Sequence, residues 1–262
     1  MVNTVSRYTF ETKRSIKSKK IKDDITLNIN YSDIDVRDVY GLYLTNKTTK
    51  NNILKLPDIG SFVDTYPDFL ALETEPGLYR RTENTCVCWF KDDSVFDTID
   101  GLYNAIVHKD VTLLKYYKSR YSGVKYFIAT DYSLYGDFDF ETVLHNLKKS
   151  AVVYMWLTIE CEAIVFSLMT YSNEKSLDWC FEHIMIGSNV AVSLKGVMKG
   201  EERNLFIKAL KALVDTRKPK ALIVYTTGFE ESTMEMLQYA VTQNIKIIIA
   251  DNTLLNRNRG VI

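Results

Sequence analysis

From residue 86 onward the hydrophobic positions fall into short unbroken runs separated by stretches of helical period. The runs are CVCWF (86–90), VKYFIA (124–129), AIVFSLM (163–169), NVAVSL (189–194), ALIVYT (221–226) and KIIIA (246–250). Runs this uniformly apolar suit strands covered on both faces, as in parallel sheets. Between them, EERNLFIKALKALVD puts Leu205, Phe206, Ala209, Leu210 and Leu213 on one helical stripe. EESTMEMLQYAVTQN does the same with Met234, Leu237, Ala240 and Val241, and Asn244 is its C-terminal stop. SLDWCFEHI carries a third stripe at Leu177, Cys180, Phe181 and Ile184, with Ser176 as its cap.

Strand–helix alternation predicts right-handed βαβ units and hence an α/β fold. Six such strands, with additions from residues 31–72, close into a TIM-like barrel, complete or incomplete, or else spread into an open doubly wound parallel sheet. Before residue 86 the pattern is mixed. Short strand-like pieces such as VYGLYL occur in 31–50, and Pro57, Pro67 and Pro76 punctuate a loop-rich stretch. The chain therefore divides into an N-terminal basic arm with a small irregular or β segment (1–50) and a single α/β domain (51–262).

Composition narrows the classes. The 46% hydrophobic and 25% charged content of the 262 residues is globular rather than disordered. Lys and Arg number 33, as do Asp and Glu, so no whole-chain field draws the protein to nucleic acid or membrane. A local one is offered by the arm, where Lys13, Arg14, Lys17, Lys19, Lys20 and Lys22 cluster. The 17 Tyr and 12 Phe either fill a core or supply stacking surfaces for bases. Four Cys, of which only Cys86 and Cys88 are close together, make no disulfide scaffold and point to a reduced, cytoplasmic setting. The apolar stretch from Ala151 to Tyr171 holds Glu160 and Glu162. Each would cost about 2.5–3.5 kcal/mol at a membrane centre. The stretch reads as a helix end, a turn and a buried strand, with no membrane partner.

Parallel α/β architectures keep ligands at the C-terminal ends of their strands. That rule selects Asp131, Ser133 and Tyr135 after 124–129, then Tyr171 after 163–169 and Lys195 after 189–194. Thr227 and Gly228 follow 221–226, and Asp251 and Asn252 follow 246–250. Asp131 and Asp251 are candidate general bases or ligands of Mg2+ or Mn2+, with Ser133 beside the first. Each Asp equally suits an Asx turn. Tyr135, Tyr171, Lys195, Thr227, Gly228 and Asn252 are candidate binding residues. Neither YTTGFEES nor LKGVMKGEE has P-loop or dinucleotide spacing, His and Cys show no zinc-finger spacing, and no Gly-x-Ser-x-Gly elbow occurs.

Two functions follow. One is an enzyme acting on nucleotides or nucleic acid, with Asp131 and Asp251 as base or cation ligands and Lys195 facing phosphate. The other is a non-catalytic DNA-binding or protein-interaction factor working through the arm and exposed tyrosines.

ATDYSLYGD (129–137), followed by YSNEKSLDWCFEHIMIGSNVAVSLKGVMK (171–199), resembles the phage and mobile-element family known as domain-of-unknown-function family 4417. The matching elements are Asp131 to Tyr135, Tyr171-Ser172, Ser176 to Phe181, and Val190 to Ser193 with Gly196. The likeness spans roughly 52–250 and is most specific over 129–199. Thr130 and Ser167 stand where that family commonly has Pro, and Lys195 where it has a small neutral residue. The resemblance implies an origin in a phage or integrated element and a role in its life cycle; the protein-interaction reading adds a host or phage protein as a further partner. It brings no catalytic residues.

Overall fold

A computed structural model describes residues 50–260. The basic cluster Lys13–Lys22 and the VYGLYL piece lie outside them. The strands are β1 (Phe69–Leu72), β2 (Thr85–Cys88), β3 (Tyr126–Ile128), β4 (Ile164–Leu168), β5 (Val190–Ser193), β6 (Ala221–Tyr225), β7 (Lys246–Ile249) and β8 (Asp251–Asn252). All pair in parallel, in the order β7-β6-β5-β4-β3-β2-β1-β8. The helices are α1 (Asp93–Phe96), α2 (Leu102–Val107), α3 (Val111–Arg120), α4 (Phe140–Glu160), α5 (Gly200–Arg217), α6 (Glu230–Met236), α7 (Gln238–Thr242) and α8 (Thr253–Asn258).

The last two strands decide between barrel and open sheet. Only Ala250 separates β7 from β8, so one stretch of chain pairs with β6 at its start and with β1 at its end. The eight strands thus curl into a nearly closed, TIM-like barrel. Contacts across the interior agree with this. The Phe90 ring, just past β2, lies 4.6 Å from Tyr225 at the end of β6, four places away in the strand order. Inside the barrel, Tyr126 stacks on Phe166 at 5.8 Å. The β4–β5 seam holds only two residue pairs, Ser167↔Val190 and Leu168↔Ala191. Segment 59–65 packs beside the N-terminal end of β5: Ser61 bridges Asn189, the Asn189 side chain donates to the Val63 carbonyl at 2.8 Å, and Tyr126 donates to Thr65 at 2.7 Å.

The apolar runs are explained by their burial: β1, β2, β3 and β6 are buried at every position, the interior on one side and helices on the other. The expected α5 stripe is real, with Phe206, Ala209, Leu210 and Leu213 all fully buried against β5 and β6. Phe206→Ala should therefore cost about 3–5 kcal/mol by denaturant unfolding, a fully buried ring leaving a cavity. A loss below about 1 kcal/mol would show that α5 is only loosely docked.

Two expected helices are corrected. SLDWCFEHI forms a 3-10 turn at Glu174–Asp178 followed by irregular chain, although Cys180, Phe181 and Ile184 are all buried. Its cap is Asn173, whose side chain accepts from the Ser176 amide at 3.1 Å. Ser176 completes a reciprocal capping box that favours the turn. EESTMEMLQYAVTQN breaks at Leu237 into α6 and α7, and Asn244 (φ 57°) does end the second in the left-handed conformation. The 151–171 stretch is the end of α4, a turn and β4. Among the described residues no helix is long and apolar enough to cross a membrane.

Candidate functional site at the barrel mouth

A cavity of about 860 Å3 opens at the C-terminal end of the barrel. Its inner wall comprises Asp131, Ser193 and Lys195; the other walls come from the 134–136 turn, the loop after β4 and the first turns of α5. Tyr135 and Tyr171 supply flat faces, and the carboxylates of Glu174, Glu201 and Glu202 stand around it.

Asp131 leaves β3 in a turn held from two sides. The Ser133 amide and hydroxyl both donate to Asp93 of α1, each at 3.0 Å at its shorter contact. From α4, Asn146 donates to the Ser133 carbonyl and Ser150 to the Thr130 carbonyl, each at 2.8 Å. The Lys149 ammonium, ion-paired to Asp97, sits 4.1 Å from the centre of the Tyr132 ring. Every neighbour of Asp131 in the turn is therefore gripped, while its own carboxyl accepts no hydrogen bond from the described residues and lines the cavity. Burial, reinforced by the Asp93 carboxylate and opposed by Lys195, pushes Asp131 up to about 7. A carboxyl poised there exchanges protons readily at neutral pH.

Lys195 follows β5 and reaches across the barrel, its ammonium donating to the Phe90 carbonyl at 2.7 Å. Phe90 and Tyr225 close the barrel beneath it. Tyr171 is pushed well above its usual range by burial, then by Glu202 and Asp131, so its hydroxyl senses carboxylates from two walls. Asn173 donates to the Gly136 carbonyl at 2.9 Å, fastening the turn to the β4 loop. Lys208 pairs with Glu174. Burial also pushes up Cys88, a fully buried thiol near Asp131 and Lys195, so the neutral thiol is the resting form.

Of the residues expected from the sequence, the cavity brings together Asp131, Tyr135, Tyr171 and Lys195. Ser133 lies outside it, spent on Asp93. Asp251 is exposed, 3.4 Å from Arg259, and does not line the cavity. The reason is the stagger of the barrel: Asp251 is level with Phe69 at the start of β1, so the end of the final strand has moved away from the mouth. Asn252 caps α8 and donates to the Thr226 carbonyl at 2.9 Å. The Gly228 amide donates to Thr226 at 3.1 Å, and the Thr227 carbonyl accepts from Asn258 at 2.8 Å. Neither Thr227, Gly228 nor Asn252 lines the cavity. Among the described residues no group of three or more His, Cys, Asp or Glu is placed to hold a metal ion, and Asp251 does not share the cavity that Asp131 lines.

Asp93, Glu201 and Glu202 were not anticipated. Asp93 was findable, since it follows the 86–90 run as Asp131 follows 124–129. The two glutamates open the amphipathic α5, where acids also complement the helix dipole, and nothing in the pattern marks them as cavity residues.

Fold and site together define an α/β barrel with an acid-lined cavity at its C-terminal mouth. Residues 49–244 match the family model described as Domain of unknown function (DUF4417), and the chain belongs to that family. Neither the curated proteins nor the solved structures contain a match.

Proposed function

We propose that the barrel mouth is an active site for acid–base chemistry on a small uncharged molecule rich in hydroxyl or amino groups, with Asp131 carrying the proton. The observation that carries this reading is an Asp131 carboxyl near half-protonation at neutral pH, without a hydrogen-bond donor among the described residues, at the wall of a cavity large enough for a metabolite. The substrate class follows from the other walls. Among the described residues lining the cavity, the acids Glu174, Glu201, Glu202 and Asp131 are matched by the cations Lys195 and Lys208, and Lys208 is already paired with Glu174. A phosphate would meet more repulsion than attraction, whereas O–H and N–H donors find acceptors. Tyr135 and Tyr171 offer faces for a ring. The nucleotide expectation narrows accordingly to a nucleoside or base, with Lys195 orienting a neutral acceptor atom.

The test is an NMR titration of Asp131 and Tyr171 with three probes: adenosine, methyl glucoside and ATP. Adenosine or methyl glucoside should perturb both residues, and the effect on Tyr171 should vanish in Asp131→Asn. Perturbation by ATP alone would overturn the substrate class. An Asp131 that titrates in the ordinary carboxylate range, with no probe bound, would overturn the site.

A further inference from the structure

Asp93 stands one strand connection away from the cavity and does not line it, yet it is bound to the turn that presents Asp131. Its carboxylate takes both donors of Ser133, the amide at 3.0 Å to one oxygen and the hydroxyl at 3.0 Å to the other. Asp92, immediately before it, caps α1 by accepting from the Ser94 amide at 2.9 Å, which fixes the start of that helix and with it the place of Asp93. On the opposite side α4 holds the Thr130 and Ser133 carbonyls. The turn is thus suspended between two helices, and on the α1 side a carboxylate accepts the hydrogen bonds.

We infer that Asp93 is a positioning residue for the mouth: locked on Ser133, it sets the 130–133 turn so that the Asp131 carboxyl stands free over the cavity with a fixed negative charge behind it. The inference rests on the acid–base reading of Asp131 and adds how that group is kept ready. A serine amide and hydroxyl would be satisfied as well by a backbone carbonyl or by water. An ionised carboxylate there costs the turn a second negative charge near Asp131, which a purely structural clamp has no need of. The charged and titratable groups facing Asp131 are Asp93 from α1, Lys195 after β5, Tyr171 after β4 and Cys88 at the end of β2. Burial keeps Cys88 and Tyr171 neutral through the relevant range, and Lys195 acts against proton retention. Among the described residues, Asp93 is the neighbour whose charge most favours the protonated acid.

Asp93→Asn separates clamp from charge, because the side-chain amide still offers Ser133 an acceptor oxygen. Carboxyl-detected NMR of Asp131 across pH 4 to 9, on the full chain, reads the result without any substrate. The midpoint should move from about 7 down toward the ordinary carboxylate range but stop short of it, since burial is the larger cause. Ser133→Ala, which keeps the charge and one hydrogen bond, should leave the midpoint high while speeding exchange of the Ser133 amide. If Asp93→Asn does not fold, Asp93→Ser gives the same comparison with a shorter acceptor. An unchanged midpoint in a folded Asp93 variant overturns the inference and leaves the acid–base reading standing. A shift in Ser133→Ala equal to that in Asp93→Asn also overturns it, by showing that the Asp93 charge adds nothing beyond the hydrogen bond to the Ser133 hydroxyl. A wild-type Asp131 that titrates in the ordinary range overturns the acid–base reading itself.

Discussion

Asp131→Asn is expected to abolish ligand binding at the mouth and at the same time make the protein more stable at pH 8, by about 3 kcal/mol. The sign follows from the two states of the wild-type chain. Below pH 3.8 Asp131 is protonated whether folded or unfolded, and folding is indifferent to it. Between 3.8 and about 7 the unfolded chain ionises while the folded one keeps its proton, so each step up in pH favours unfolding. Above about 7 the folded protein carries an ionised carboxylate among buried groups beside Asp93, and the full penalty is in place. At about 1.4 kcal/mol per pH unit the window amounts to about 4 kcal/mol, reduced to about 3 for the face that Asp131 shows to solvent. The amide variant avoids this ionisation. Urea unfolding of both proteins should give matching midpoints near pH 4 and a clear advantage to the variant at pH 8. A variant less stable than wild type at both pH values would mark Asp131 as a structural turn residue. Stability given up at one group over a cavity is the pattern of a site kept for function.

The same local conflict explains what could and could not be read from the chain. Strands buried on both faces announce themselves as apolar runs, so β2 to β7 were legible as elements, with ends displaced by a residue or two. β1 was legible only as an unplaced addition within 31–72, because FLAL is four residues long and sits between Pro67 and Pro76 in a stretch whose punctuation reads as loop. Closure into a barrel was legible only as one of two alternatives. It depends on β8, two residues that continue β7 after Ala250 and pair with the far edge of the sheet, a long-range event with no local signature. The strand-end rule selected Asp131 and Lys195, and both line the cavity because they lie in register with the mouth. It also selected Asp251, which does not line the cavity, because stagger accumulates around the ring and carries the last strand's end to the start of β1. Ser133 was noticed for its chemistry, but its hydroxyl had a partner forty residues away that no spacing rule connects to it.

Asp97→Ala should be among the most damaging single changes, costing about 3–5 kcal/mol, while Lys149→Met costs about 1 kcal/mol or less. The asymmetry comes from where the two partners sit. The Lys149 side chain is only 9% exposed, whereas Asp97 keeps 24% of its side chain in solvent. Without Asp97 the ammonium is left nearly enclosed, with the Tyr132 ring at 4.1 Å and the Tyr103 ring at 5.4 Å as its remaining support. Ring faces attract a cation by about 0.5–2 kcal/mol, too little to replace an ion pair in that setting. Without Lys149 the carboxylate still reaches water, and a methionine fills the same space against the two rings. The double variant should recover to within about 1–2 kcal/mol of wild type, since removing both charges leaves neither stranded. Denaturant unfolding at pH 7 of the two single variants and the double measures all three. Equal losses in the two single variants, or a double variant no better than Asp97→Ala, would show that the pair is not coupled through burial. Because Tyr132 rests on Lys149 and adjoins Asp131, Asp97→Ala should also disturb the Asp131 titration.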